Sequence, residues 1–156
     1  MKTSLLENIL FFAFLTLIVA AASCEEETSL LRIDPNHKVK PDYGNPFTLG
    51  TGQKAFFRKN ELILQAVDVM EDSRCPVGVT CVWQGQVRVI ASVTTQNQQN
   101  EQFELIYQEG DSAEINSRTF DDFLIEIIKV LPAAKEGQTI EKSDYRIAMK
   151  VTKLGS

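Results

Sequence analysis

Apolar residues recur at every second position through much of this chain beyond Phe47, and that period constrains the fold more than any other feature. In residues 83–93, Trp83, Val87, Val89, Ala91 and Val93 are apolar, while Gln84, Gln86, Arg88 and Ser92 alternate with them. Tyr145, Ile147, Met149 and Val151 alternate with Arg146, Ala148, Lys150 and Thr152; Phe103, Leu105 and Tyr107 alternate with Gln102, Glu104 and Gln108, with Ile106 the exception. Successive side chains of a strand point to opposite faces, so each stretch predicts a half-buried strand. Residues 61–70 and 123–131 are apolar at both parities, as central strands would be. In the second of these, Ile125, Ile127, Ile128 and Val130 favour strand over helix. Turn-forming segments separate the stretches at Gly50-Thr51-Gly52, 95–100, 109–111 and 132–144. The expectation is an all-β fold, an antiparallel β-sandwich of about seven strands. It is immunoglobulin-like in architecture only, because Trp83 follows Cys81 too closely for the immunoglobulin spacing.

The first residues obey other rules. Lys2 begins a short n-region, residues 9–20 are apolar apart from Thr16, and Ala20, Ala21, Ala22 and Ser23 are small. About twelve helical residues reach about 18 Å, well short of the roughly 30 Å of a bilayer core. This pattern predicts an export signal over residues 1–23, removed on secretion. Ala20-Ala21-Ala22 suits ordinary cleavage, which would release a soluble secreted protein. Ala21-Ala22-Ser23-Cys24 resembles a bacterial lipobox, with Ala21 where that pattern prefers Leu. The resemblance implies lipidation of Cys24 and a membrane-anchored lipoprotein of the cell envelope. The adjoining Glu25-Glu26-Glu27 is similar to the surface-export signal of some Gram-negative lipoproteins, which would place the chain at the outer membrane or surface.

Cysteine arithmetic agrees with that reading. The chain has three cysteines, and if Cys24 carries lipid, Cys75 and Cys81 remain to form a disulfide in an oxidising compartment. The bridge closes so short a loop that chain entropy predicts a stabilisation of about 2 kcal/mol. The spacing is neither that of a thiol oxidoreductase nor that of a zinc site.

Residues 24–46 read as a flexible tether, acidic at first and then holding Pro35, Pro41, Gly44 and Pro46. The sandwich is expected over residues 47–156. A formal net charge of −5 without a basic stripe points away from nucleic acid, so membrane contact is expected through the anchor.

One segment is chemically distinctive. Asp72-Ser73-Arg74-Cys75-Pro76, joined by a short spacer to Cys81-Val82-Trp83-Gln84-Gly85, resembles a motif of uncharacterised exported bacterial proteins and lipoproteins. In those proteins it reads approximately Asp-Ser-Arg-Cys-Pro, a variable spacer, then Cys-x-Trp-x-Gly. The resemblance covers a short part of the chain and implies an exported location; it brings no established activity. Physically, two roles compete. As a staple, the bridge limits loop motion and Trp83 packs beside it on the core face. Gly85 then makes room for Trp83 or a neighbouring backbone, and Arg74 pairs with Asp72 or caps loop carbonyls. As a recognition loop, Arg74, Pro76, Val77, Val79 and Thr80 face a partner already ordered.

Catalysis finds little support. His37 is the single histidine and lies in the tether, far from any nucleophile it would have to activate. Asp121 and Asp122 are adjacent, so on a strand they would point to opposite faces and a turn suits them better. Asp68, Glu71 and Asp72 offer carboxylates to a hard cation, but in no calcium-loop pattern. No metal, cofactor or catalytic set is therefore expected. The functional expectation is an anchored binding module for an envelope protein or glycan. The alternative is inhibition of an extracytoplasmic hydrolase through the bridged loop.

Overall fold

Eight strands carry the alternation among the residues described by a computed structural model of the chain, which are 37–97, 100–110 and 116–155. They are β1 (Pro46–Gly50), β2 (Lys54–Phe57), β3 (Leu62–Asp72), β4 (Val87–Thr95), β5 (Glu101–Tyr107), β6 (Ser117–Phe120), β7 (Phe123–Leu131) and β8 (Arg146–Lys153). Two four-stranded antiparallel sheets result, in the orders β1-β8-β7-β6 and β2-β3-β4-β5. The all-β antiparallel sandwich expected from the period is the fold. The expected export signal, Cys24 and residues 25–36 lie outside the described residues.

The two sheets face each other through the apolar parity of each strand. Leu49, Leu62, Leu64, Val87, Val89, Val93, Ile125, Ile147 and Val151 are fully buried there. Burial of each such side chain stabilises by about 1.5–3 kcal/mol, so the alternating pattern is also the principal source of stability.

The two stretches apolar at both parities are interior strands, as expected, with β3 between β2 and β4 and β7 between β8 and β6, but their double parity arises from bulges. The register slips between Ala66 and Asp68 in β3 and between Ile127 and Lys129 in β7. Each slip is a β-bulge, in which one extra residue shifts the parity of the residues beyond it. Leu62, Leu64 and Ala66 face the core before the first bulge, and Val69 does so after it. Phe123, Ile125 and Ile127 precede the second bulge, Val130 comes after it, and Ile128 is left at the surface.

The expected tether also needs correction at its C-terminal end. Val39 forms a parallel bridge with Ala55, and the Phe56 amide donates to the Val39 carbonyl at 2.8 Å. The Tyr43 ring stacks on Phe57 and Phe123, with centroids 4.9 and 5.6 Å away. An aromatic side chain seated between the sheets offsets the ordering entropy that the Pro, Gly and Asp composition cannot meet alone. Tight turns occur where expected. Gly52, with φ 84°, lies between β1 and β2, and Asp121, with φ 45°, lies between β6 and β7. Asp121 accepts a hydrogen bond from the Thr95 hydroxyl at 2.8 Å.

Candidate functional site

Beyond Asp72, the chain leaves the sheet and returns at Val87. The two arms of this excursion continue the β3–β4 pairing for a short distance. The Ser73 amide donates to the Gln86 carbonyl and the Cys75 amide to the Gln84 carbonyl, both at 2.8 Å. This neck is narrow enough to demand glycine. A Cβ on Gly85 would lie 1.8 Å from the Ser73 carbonyl oxygen, and φ at Gly85 is +72°. Gly85 therefore makes room for a neighbouring backbone, one of the two uses its position suggested.

Above the neck, the Cys75–Cys81 disulfide closes the loop with Cα atoms 6.0 Å apart. Gly78, with φ 86°, occupies the position in the Pro76–Val79 turn that requires a left-handed backbone. The Val79 amide donates to the Pro76 carbonyl at 3.2 Å across that turn, and the Val77 amide donates to Ala134 at 2.9 Å. The loop is thus bridged to itself and pinned to the segment after β7.

Arg74 anchors the base. Its guanidinium donates to both carboxylate oxygens of Asp72 at 2.9 and 2.6 Å, to the Val130 carbonyl at 2.6 Å and to the Pro132 carbonyl at 2.8 Å. The two side chains are only 7% and 10% exposed. The Tyr145 hydroxyl adds a 3.0 Å bond to Asp72. Burial alone would push the Asp72 carboxyl up, but the Arg74 bonds and charge, with Tyr145, hold it below its ordinary value. Burial, joined by the Asp72 carboxylate, pushes the Tyr145 hydroxyl up to about 12. The expectation that Arg74 faces a partner is corrected: it is a buried strut tying the loop's base to the end of β7.

Trp83 needs the opposite correction. It is 57% exposed and does not pack on the core face. Strand parity cannot be carried from β4 back to Cys81, because the left-handed Gly85 intervenes and resets the alternation. Cys81 and Val82 are exposed with it. Of the residues expected to meet a partner, Val77, Val79 and Thr80 are exposed and Pro76 is half-buried. Val82, which is not among them, is the most exposed apolar side chain of the loop. Its adjacency to Trp83 outside a strand was the signal that could have found it. Residues 75–81, with Trp83, Gln84 and Glu109, line an open hollow of about 510 Å³.

The three carboxylates preceding the loop do not converge. Asp68 meets Lys142 at 2.5 Å, Glu71 meets Arg88 at 3.5 Å, and Asp72 meets Arg74. Among the described residues, no group of three His, Cys, Asp or Glu side chains is placed to share a metal ion. The loop is a fixed frame with apolar side chains outside it. No family model, curated protein or solved structure matches the chain.

Proposed function

We propose that this chain is an exported binding module of the cell envelope, held by lipid on Cys24, with the bridged loop as its recognition element. One observation carries the reading. Val77, Val79, Val82 and Trp83 are 69%, 40%, 108% and 57% exposed on a loop constrained by a disulfide, a paired neck and the Arg74 strut. Apolar side chains clustered at one exposed place mark contact surfaces on soluble domains. A loop ordered in advance loses little entropy when it binds. The motif's resemblance to segments of exported proteins and the oxidised cysteine pair support an extracytoplasmic setting.

The test is crosslinking in the envelope and then co-purification, comparing the native chain with Val82→Asp and with the Cys75→Ser/Cys81→Ser pair. A partner held by the native chain and lost from a folded Val82→Asp variant is the expected result. Equal capture by all three would remove the loop from recognition. The same exposed, bridged geometry suits a hydrolase inhibitor, the second reading. It would be identified by a captured hydrolase whose activity falls on binding and recovers when the bridge is reduced.

A further inference from the structure

No residue from 75 to 86 carries a formal charge, in a chain where 24% of residues do. The segment 130–134 is also uncharged, and the Val77–Ala134 hydrogen bond holds the two together. Leu131, Pro132 and Ala133 are exposed on that segment, as Val77, Val79, Val82 and Trp83 are on the loop. One end of the sandwich therefore presents aliphatic and indole surface from two adjoining loops. Among the described residues, Glu109 is the one charged residue lining the adjoining hollow.

The chain approaches the domain from the direction of that end, with Val39, beside Ala55 and Leu64, about 26 Å along β3 from Asp72. β3 runs toward the loop, and β2 is antiparallel to it, so β2 runs away from the loop. Val39 pairs in parallel with Ala55, so residues 37–39 also travel away from the loop's side. Fully extended, the segment from Cys24 to His37 spans at most about 45 Å.

We propose that the surface formed by Val77, Val79, Val82, Trp83 and Leu131 seats in the headgroup layer of a zwitterionic bilayer. This inference rests on the reading of the chain as a lipid-anchored binding module and names what its loop binds. Trp is well suited to the boundary between water and hydrocarbon, where its ring is buried and its N–H stays wet. A tethered loop meets the bilayer at high effective concentration. A net charge of −5 and Glu109 at the rim disfavour anionic surfaces, which is why the proposed surface is zwitterionic.

Trp83 is the single tryptophan of the chain, so its fluorescence reports on this surface alone. The full anchored chain is reconstituted in phosphatidylcholine vesicles, with and without brominated acyl chains. The native chain should show emission shifted to the blue, quenching by brominated lipid and protection from aqueous acrylamide. A Val77→Asp/Val82→Asp variant of unchanged melting temperature should lose all three, and added phosphatidylglycerol should weaken them. Native Trp83 as open to acrylamide as in the variant, and unquenched by brominated lipid, would overturn the lipid assignment. A protein or glycan then crosslinked from position 82 would leave the binding-module reading standing; no adduct there would end both.

Discussion

Replacing Arg74 with Met keeps most of the aliphatic stem but removes the cation from a buried pair. Asp72 would retain the Tyr145 hydroxyl at 3.0 Å and the backbone amide of residue 74 at 3.2 Å. The Val130 and Pro132 carbonyls would lose their guanidinium donor. Breaking one side of a buried ion pair costs about 3–5 kcal/mol, and the bonds left to Asp72 place this case near 3. That is a large share of the roughly 5–15 kcal/mol that holds a domain together. Urea unfolding monitored by far-ultraviolet circular dichroism measures it, and the melting temperature should fall by about 10 °C. The pH dependence gives a second sign. In the native protein, Asp72 is held below its ordinary value, so its contribution is complete above about pH 4 and fades as pH falls through the folded value. In the variant, burial acts without the guanidinium and raises the Asp72 pKa, so protonation relieves the destabilisation. The stability gap should therefore narrow on acidification. A loss within about 0.5 kcal/mol, or a gap unchanged between pH 7 and pH 3, would refute the strut.

Gly85→Ala should lower stability by at least about 2 kcal/mol, since a left-handed non-glycine backbone costs about 1–3 kcal/mol before the overlap with Ser73 is relieved. An unchanged melt, with unchanged hydrogen exchange at the Ser73 and Cys75 amides, would contradict the close neck. Trp83→Ala should change stability by no more than about 0.5 kcal/mol, as exposed substitutions generally do. A loss of about 3 kcal/mol, the scale of a core aromatic, would return the indole to the interior. Cys75→Ser with Cys81→Ser should cost about 2 kcal/mol on the loop-entropy model, with faster hydrogen exchange confined to residues 75–84. Faster exchange throughout both sheets would mean that the bridge supports the whole sandwich.

The fold is legible where alternation runs long. The apolar run 123–131 has the bounds of β7, yet its double apolar parity does not mean burial on both faces. A bulge at Ile128 produces the same local pattern, and only the register of β8 tells the two apart. β1, β2 and β6 are four or five residues long, too short for a period to declare itself. At the loop, the disulfide is reached by counting thiols, and the space needed at Gly85 by its residue type. Trp83 is misplaced by parity because the count passes through a glycine whose φ is positive. Arg74 is legible only in part: Asp72 is two residues away, but the carbonyls that complete its burial come from Val130 and Pro132. Tyr43 escapes notice because a single aromatic in a Pro- and Gly-containing stretch leaves no periodic trace, although its ring stacks on Phe57 and Phe123.

A photo-crosslinking amino acid placed at position 82, beside an otherwise identical chain carrying it at Ile128, tests the recognition role of the loop most directly. Both side chains are exposed, but only the first belongs to the loop. Adducts formed in cells from position 82 and absent from position 128 are predicted. Adducts equal at the two positions, or confined to position 128, would contradict the loop as the recognition element of this sandwich.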